Sequence, residues 1–213
     1  LCAGAAGASV PVLTSPEPRE ALARMAAAFY GRPGDAMTLI AVTGTKGKTT
    51  VAHMLRDILL ADGRQAGMIG TLGAFAGRER LAEGTNTTPE PIALHRTLRA
   101  MADAGCTHVV LEASSQAMKL HRLEGLAFGL ALFLNLSPDH VGPGEHADLE
   151  EYRACKAALF RQCRLALGNA ADPAWPLMAA QAPAARAIEP LPIRRGAGLT
   201  TEVGPFNVPM PGA

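Results

Sequence analysis

The sequence has few of the features that mark nucleic-acid-binding, secreted or membrane proteins. Its 213 residues carry a net charge of only +1, which gives no broad field to hold nucleic acid or an anionic membrane. No apolar run reaches the length of a membrane span. The cysteines lack C-x-x-C spacing, which favours reduced thiols over a disulfide framework or zinc site (Cys2, Cys106, Cys155 and Cys163). We therefore expect a cytoplasmic protein with no nucleic-acid or membrane partner.

Aromatic residues are also scarce, at 4% of the chain, although apolar residues make up 48%. The core must therefore be built mostly from alanine, leucine and valine. A length of 213 residues suits one large domain, or one domain with part of another. The chain begins without an initiator methionine and stops without a helix or a polar tail. We expect it to be a piece of a longer protein.

The strongest positive signal is a glycine turn between a strand and a helix. An apolar run over residues 37–42 leads into the turn, and a helix-like segment over 51–60 leaves it. The glycines, Gly44 and Gly47, allow the backbone to approach a ligand closely. Because the first N–H groups of a helix have no partner within the helix, such a turn is a natural phosphate site.

The side chains of the turn fit the same purpose. Lys48 supplies a positive charge for the outer phosphates of a nucleotide, and the Thr49 hydroxyl is placed to bind Mg²⁺. The usual pattern G-x-x-x-x-G-K-[ST] is not met in full, because Val42 stands at its first glycine; the loop has the shorter form T-G-T-x-G-K-T. An ordinary glycine turn before a helix is disfavoured, because strand, turn and helix all lie where phosphate binding needs them. The sequence predicts an ATP site with Mg²⁺.

Strands and helices alternate through most of the chain. The predicted strands cover 37–43, 66–72, 107–113 and 126–136, with a hairpin-like piece reaching residue 81 and a short strand at 164–167. The predicted helices cover 20–30, 48–61, 90–104 and 149–162. This alternation predicts an α/β domain with a mostly parallel sheet flanked by helices. After residue 172 the chain is rich in Ala and Pro, and the pattern predicts no element.

Glu112 ends the apolar strand that begins at Thr107. Ligands of open α/β sheets bind beyond the carboxyl ends of the strands, where a carboxylate can hold the Mg²⁺ of a nucleotide. A surface residue at a strand end is the alternative. The phosphate loop weighs against that alternative.

A polar cluster, Asn86, Thr87 and Thr88, stands just before the helix predicted at 90–104. Capping of this helix by a threonine is the interpretation that the residues alone favour. The functional alternative is that these hydroxyls hold an anionic part of a second substrate. The basic pair His121-Arg122 faces either an anion or solvent.

Two further residues are ambiguous on their own. His140 follows a predicted strand, as Glu112 does, whereas His146 is interpreted as a loop residue. Lys156 interrupts an apolar helix stretch, and an exposed or snorkelling lysine is the ordinary interpretation.

Taken in order, these segments resemble the Mur ligase family. The resemblance rests on residues 43–50 (TGTKGKTT), 112–115 (EASS), 135–140 (NLSPDH) and 152–160 (YRACKAALF). Within the family, NTTP at 86–89 and the His121-Arg122 pair resemble the MurE group. That group adds the third amino acid to UDP-N-acetylmuramoyl-L-alanyl-D-glutamate in peptidoglycan synthesis. The resemblance covers roughly residues 10–170.

The resemblance implies a role for each matching position. The residues expected to bind ATP are Gly44, Thr45, Lys46, Gly47, Lys48, Thr49 and Thr50. Those expected to contact the UDP-muramoyl-dipeptide are Asn86, Thr87, Thr88, Ser114 and Arg122. Thr49 and Glu112 would hold one Mg²⁺, and His140 with Lys156 a second, the lysine acting as a carbamate. The expected catalytic residues are Lys48, Glu112, His140 and Lys156.

The resemblance also implies a reaction and a domain plan. ATP would phosphorylate the terminal carboxylate of the acceptor, and the amine of a free amino acid would displace phosphate. Residues 1–35 would be the remnant of a UDP-binding N-terminal domain, and 36–213 an incomplete central ATP-binding domain. Since the C-terminal ligase domain would be absent, we expect this chain alone to be inactive, and the added amino acid is left open. A monomer is expected.

One departure and three alternatives accompany the resemblance. Lys46 stands where MurE loops commonly have Asn, which adds a positive charge near the phosphates. A folylpolyglutamate synthase is disfavoured by the segments at 86–89 and 121–122. A MurT-like protein would be expected to carry a cysteine-rich zinc insert. This sequence has no such insert, which disfavours that alternative. A non-catalytic ATP-binding module remains the alternative from another class.

Overall fold

Secondary structure in a computed structural model follows the predicted alternation closely. The structure describes residues 12, 14–139, 142 and 145–188, and the backbone of 199–201 and 204–206. The strands are β1 (Thr38–Thr43), β2 (Ala66–Gly70), β3 (Gly73–Ala76), β4 (Glu79–Ala82), β5 (His108–Glu112), β6 (Phe128–Phe133), β7 (Cys163–Asn169), β8 (Ala185–Ile188), β9 (Leu199–Thr201) and β10 (Gly204–Phe206). The helices are α1 (Pro18–Phe29), α2 (Lys48–Ala61), α3 (Pro91–Asp103), α4 (Ser115–Lys119), α5 (Leu149–Ala158) and α6 (Trp175–Ala179), with 3₁₀ helices at Pro33–Ala36 and Leu159–Gln162.

Eight of the strands in the described chain form one sheet, in the order β4-β3-β2-β5-β1-β6-β7-β8. Strands β2, β5, β1, β6, β7 and β8 run parallel to one another. At one edge of the sheet, β3 pairs antiparallel with β2 and β4 pairs antiparallel with β3. The predicted α/β class with a mostly parallel sheet is therefore confirmed. β9 and β10 form a separate antiparallel pair.

Both faces of the central strands are buried, as continuous apolar strands require. In β1, Leu39 and Ala41 pack into one core, whereas Ile40 and Val42 pack into the other. The second core lies under α2 and includes Ala52. Since successive side chains of a strand point to opposite faces, β1 joins two hydrophobic layers and holds the start of the phosphate loop between them.

The N-terminal segment packs against this domain. α1 contacts α3, and the 3₁₀ turn after it buries Pro33 and Gly34. The Gly- and Pro-rich cluster at 31–35, whose composition predicts a linker, is thus a packed turn. The assignment of 1–35 to a separate domain stays a prediction.

The elements that sequence patterns did not predict are short. α4 and α6 have five residues each, and β8 has four, so none is long enough to show a clear period. Helix α5 changes to a 3₁₀ turn at Leu159, inside the single helix predicted for 149–162. No described helix has the length and apolar character that crossing a membrane requires.

Candidate active site

The candidate site lies where β2, β5, β1 and β6 end. These strands are neighbours and parallel, so their carboxyl ends meet at one edge of the sheet. The residues that follow them are Thr71 after β2, Ala113 after β5, Gly44 after β1 and Leu134 after β6. Side chains that are distant in sequence are brought together here, as ligand sites of open α/β sheets require.

The phosphate loop connects β1 to α2. Gly47 takes a left-handed conformation (φ 84°) at the N-cap of α2, a geometry that glycine adopts without steric cost. Lys46 is clamped from outside, because its N–H donates to Oδ1 of Asn135 (3.0 Å) and its carbonyl accepts from Nδ2 (3.1 Å). The first turn of α2 therefore starts from a fixed loop and presents N–H groups suited to a phosphate.

Lys48 lies across the mouth of this loop. Its ammonium donates to the carbonyls of Gly44 (2.9 Å) and Thr45 (3.1 Å). Burial lowers its pKa, although the negative charges of Glu112 and Asp139 oppose that shift. A phosphate placed at the loop offers this cation a stronger partner than two carbonyls.

The Thr45 side chain points into the protein. Its hydroxyl accepts from the N–H of Ser137 (3.0 Å) and lies 3.0 Å from the hydroxyl of Tyr152. Its own N–H donates to the Asn135 carbonyl (3.0 Å). Thr45 therefore fixes the loop to the 135–137 segment and to α5, and its side chain is not available to a nucleotide. Thr50 is exposed on the first turn of α2.

Glu112 is completely buried at the end of β5, so the interpretation as a surface residue is wrong. Its carboxylate accepts from the Thr49 hydroxyl (2.9 Å, Oε2) and from the Thr71 N–H (2.9 Å, Oε1). Among the described residues, no lysine, arginine or histidine forms an ion pair with it. Its direct hydrogen-bond donors in the described chain are therefore all neutral, and the Lys48 ammonium acts on it only through space.

The donor set around Glu112 fits a magnesium ion. A carboxylate and a hydroxyl, held 2.9 Å apart beside the phosphate loop, are oxygen ligands of the kind Mg²⁺ uses together with nucleotide phosphates. The buried charge supplies the reason for a cation at this place.

Gly70 ends β2 directly beside this carboxylate. A Cβ on Gly70 would overlap the carboxylate oxygen Oε1 of Glu112. The missing side chain is therefore the space that the Glu112 carboxylate occupies. No sequence pattern singled out Gly70 or Thr71, because their roles depend on the alignment of β2 beside β5.

Thr88 ties the loop before α3 to the end of β5. Its buried hydroxyl donates to the Glu112 carbonyl (2.7 Å) and accepts from the N–H of Ser114 (3.1 Å). The N-cap of α3 is Glu90, and no side chain caps this helix. The capping interpretation of Thr87 and Thr88 is therefore wrong. Thr88 instead positions its neighbours Asn86 and Thr87 beside the phosphate loop.

Arg122 is held beside the same loop. Its guanidinium donates to the Thr88 carbonyl (2.9 Å) and forms an ion pair with Glu90 (2.6 Å). Arg122 thus faces the polar cluster and not bulk solvent. Its exposed partner Glu90 can be displaced by a substrate anion without burying an unpaired carboxylate.

Ser114 and Ser115 open α4, with different tasks. The Ser114 hydroxyl caps the helix by accepting from the Ala117 N–H (3.1 Å). The Ser115 hydroxyl lies 2.9 Å from Nε2 of His146, whose ring is buried. His146 lies in the loop before α5, as predicted, but it is a buried residue with a side-chain partner and not an exposed one. Sequence offered no signal for it, since its partner lies 31 positions away.

Lys156 is among the most deeply buried residues, with 1% of its surface exposed. Its ammonium donates to the Gly44 carbonyl (2.9 Å) and lies 4.6 Å from the centre of the Tyr152 ring. Burial, helped by the charge of Lys48, lowers its pKa to about 7. The ordinary interpretation of an exposed or snorkelling lysine is wrong.

A cavity of about 290 Å³ brings many of these side chains together. Its lining includes Lys48, Asn86, Thr87, Ser114 and Arg122, which the sequence predicted, and Ser115, Gln116, Glu145 and His146, which it did not. A second cavity of about 350 Å³ lies at Lys46 and Gly47 against apolar residues of β6 and β7. His140 lies outside the described residues. The predicted ligand contacts of all these residues stay predictions.

Comparison with known proteins assigns this chain to a family. Residues 42–188 match the model of the Mur ligase middle domain. The chain belongs to the Mur ligase family. The predicted family is thereby confirmed.

Curated relatives of this Mur ligase chain carry MurE-type names. It is 41% identical over 172 residues to a UDP-N-acetylmuramoyl-L-alanyl-D-glutamate--2,6-diaminopimelate ligase of Halalkalibacterium halodurans, covering 78% of this chain and 35% of that protein. It is 42% identical over 154 residues to a UDP-N-acetylmuramyl-tripeptide synthetase of Lactobacillus acidophilus, covering 71% and 29%. The chain spans about a third of the length of the curated relatives it matches.

Solved structures show the same fold. A UDP-N-acetylmuramoyl-L-alanyl-D-glutamate--2,6-diaminopimelate ligase aligns with a TM-score of 0.70 and 26% identity, over 91% of this chain and 44% of that one. A Mycobacterium tuberculosis folylpolyglutamate synthase complexed with ADP and AMPPCP aligns with a TM-score of 0.62 and 16% identity, over 79% and 46%. The second likeness concerns the fold alone.

Proposed function

We propose that this chain is the ATP-binding part of a MurE-type ligase. The ligase adds the third amino acid to UDP-N-acetylmuramoyl-L-alanyl-D-glutamate. The observation that carries the proposal is the shared cavity, in which Lys48 of the phosphate loop stands beside Asn86, Thr87, Ser114 and Arg122. A ligase that joins a phosphoryl donor to a carboxylate acceptor needs both sets of groups at one place.

The phosphates of ATP bind at the start of α2. Backbone N–H groups of the loop and the Lys48 ammonium neutralise their charge, and the clamp between Asn135 and Lys46 keeps the loop in its binding shape. Thr49 and Glu112 hold a Mg²⁺ ion, which supplies charge neutralisation for the transferred phosphoryl group.

The acceptor binds on the Arg122 side of the cavity. Its carboxylate and phosphate groups are anions, and Arg122 offers a guanidinium held at the cavity wall by Thr88. The hydroxyls of Thr87 and Ser114 and the amide of Asn86 contribute neutral hydrogen bonds. The chain's net charge of +1 leaves this work to local groups.

Lys156 and His140 hold a second Mg²⁺ in this proposal, with Lys156 as a carbamate. Carbamate formation joins a neutral amine to CO₂ and releases a proton. A pKa near 7 supports this role, because a large share of the Lys156 side chain is then neutral at physiological pH.

The reaction passes through an acyl phosphate. A terminal carboxylate oxygen of the acceptor attacks the γ-phosphorus of ATP and ADP leaves; the amine of the incoming amino acid then displaces phosphate. In these two reaction steps, Lys48 stabilises negative charge on the transferred phosphoryl group, and Arg122 orients the acceptor.

Binding by the 213-residue chain tests the site by calorimetry, first with Mg·AMPPNP and then with UDP-N-acetylmuramoyl-L-alanyl-D-glutamate. Lys48→Ala is expected to weaken nucleotide binding, and Arg122→Gln to weaken acceptor binding by about 10-fold or more while the nucleotide still binds. The matched control is Arg153→Gln on the exposed face of α5, which leaves both affinities unchanged. Acceptor binding that is indifferent to Arg122→Gln contradicts the assigned acceptor site.

Turnover is tested with a protein of the relatives' length that contains this chain. ADP release that requires both the acceptor and one amino acid, lysine or meso-diaminopimelate, establishes the ligase and names the residue added. Nucleotide binding without such release under any pairing favours a different acceptor, a folylpolyglutamate-type ligase or a non-catalytic ATP-binding module.

A further inference from the structure

Tyr152 lies between Lys156 and the phosphate loop in the proposed site. It is fully buried on α5, one helical turn before Lys156, so both side chains leave the same face of the helix. Its ring lies under the Lys156 ammonium (4.6 Å from the ring centre). Its hydroxyl is 3.0 Å from the Thr45 hydroxyl.

We infer that Tyr152 is a positioning residue that holds Lys156 and the phosphate loop in one fixed relation. Its ring packs under the unmodified Lys156 ammonium, and its hydroxyl anchors Thr45, so one side chain positions both the lysine and the loop. The inference rests on the proposed function for its consequence in nucleotide binding, but its geometric content is independent of that function.

The surrounding contacts explain why the link is stiff. Thr45 also accepts from the Ser137 N–H (3.0 Å), and Lys156 donates to the Gly44 carbonyl (2.9 Å), one residue away along the loop. The His146 ring lies on another side of Tyr152, at 5.2 Å between centroids. A tyrosine packed among these groups cannot rotate without moving both the lysine and the loop.

The ring and the hydroxyl have separable roles, and two variants separate them. Tyr152→Phe keeps the ring under Lys156 and removes the anchor of Thr45. Tyr152→Leu removes both. Tyr30→Phe is the matched control, because Tyr30 is the chain's other tyrosine and packs on Phe29 of α1, away from the loop.

Proton and carbon NMR of the 213-residue chain reads the geometry without a nucleotide. The chain has four lysines, so the ε-methylene of Lys156 is readily assigned. We expect an upfield ring-current shift for it in the parent and in Tyr152→Phe, and its loss in Tyr152→Leu. The Gly44 and Thr45 amide resonances are expected to move in Tyr152→Phe and to stay in place in Tyr30→Phe.

Calorimetry with Mg·ATP reads the consequence. Tyr152→Phe is expected to weaken binding by about 3- to 10-fold, as loss of one anchoring hydrogen bond implies, with Tyr30→Phe unchanged. If Tyr152→Phe lowers only the melting temperature, while the loop amides and the affinity stay as in the parent, Tyr152 is a packing residue and the inference is overturned. If the parent itself fails to bind Mg·ATP while the NMR shifts respond as stated, the proposed function fails and the positioning role stands.

Discussion

Glu112 and Lys156 are both ionisable side chains buried beside the phosphate loop, but they differ in their hydrogen-bond partners. The Glu112 carboxylate accepts hydrogen bonds from Thr49 and from the Thr71 N–H. The Lys156 ammonium has three N–H groups but donates to one carbonyl of the described residues, Gly44, and otherwise faces an aromatic ring. The two hydrogen bonds hold the carboxylate in one place, whereas burial makes the charged form of the lysine unfavourable. Lys156 is therefore the member of this pair whose burial favours the uncharged form, with a pKa lowered to about 7.

Removing the charge of Glu112 should have the largest effect on binding. Glu112→Gln keeps the size of the side chain but removes the charge that balances a cation. We expect the affinity for ATP in Mg²⁺ to fall by at least about 10-fold, with little change in EDTA. Calorimetry in both conditions measures this difference.

The control for that variant is Glu79→Gln on the exposed strand β4. It removes the same charge far from the loop and should leave Mg²⁺-dependent binding intact. Equal losses in Mg²⁺ and in EDTA for Glu112→Gln would show that Glu112 supports the loop and not the metal.

Lys156→Met should stabilise the unliganded chain even though it removes a proposed functional group. It replaces a buried ammonium by an apolar chain of similar length, and we expect a gain of about 1–4 kcal/mol in the free energy of unfolding at pH 7. Urea denaturation measures it. Lys119→Met, at a half-exposed lysine paired with Glu151, is the control and should bring no such gain.

The pH dependence sharpens this prediction. Burial lowers the pKa of folded Lys156 to about 7 from 10.5, so between these values the unfolded chain binds more protons. Stability should therefore rise with pH across that window, and Lys156→Met should lack this rise. Parallel curves for parent and variant would contradict the lowered pKa of buried Lys156.

Thr88→Val tests whether the hydrogen bonds of Thr88 to the end of β5 contribute to stability and to acceptor binding. The variant keeps the shape but leaves the Glu112 carbonyl and the Ser114 N–H without this partner. We expect a loss of about 1–3 kcal/mol in stability, together with weaker acceptor binding. Thr107→Val, which removes exposed contacts to the Gln65 carbonyl (3.2 Å) and the His108 ring nitrogen Nδ1 (2.9 Å), should cost much less in chemical denaturation. Similar losses from both variants would rule out a special role for Thr88.

A variant of His95 tests whether a buried ionisable group outside the site also lowers the free energy of unfolding. Its ring is fully buried on α3, and neither ring nitrogen has a hydrogen-bond partner in the described chain. His95→Leu is expected to raise stability by about 1 kcal/mol at pH 7. A destabilised variant would show that the shape of the imidazole ring matters more than its polarity.

The effect of His95 should grow in acid. Burial lowers the pKa of His95 below 6.5, so the unfolded chain binds more protons once the pH falls through that value. The parent should therefore lose stability there faster than His95→Leu. Thermal melts at several pH values distinguish the two.

Local patterns predicted the parts of the site that lie close together in sequence. The segment from β1 to α2 was predicted nearly to the residue, because strand, glycine turn and helix each leave a periodic signal. Tyr152 and Lys156 stand four residues apart on one helix, so their proximity was available to the same reasoning. The family resemblance supplied the roles of Arg122 and Lys156, which the residues alone did not favour.

What sequence could not reveal depends on sheet order. The Thr71 N–H reaches Glu112 only because β2 is the neighbour of β5, across 41 positions of chain. Thr88 was interpreted as a helix cap because its true partner, the Glu112 carbonyl, is 24 residues away. Short elements such as α4 escaped for a different reason, since five residues complete too little of a helical period.

Gly70 has a consequence beyond packing. It contributes no atom to any proposed chemistry, yet the Glu112 carboxylate occupies the volume where its side chain would be. In a complete substitution scan of this chain, Gly70 should therefore be as intolerant of substitution as the residues proposed to contact ligand. A map of mutational sensitivity would outline the proposed magnesium site partly through a residue that contributes no ligand atom to it.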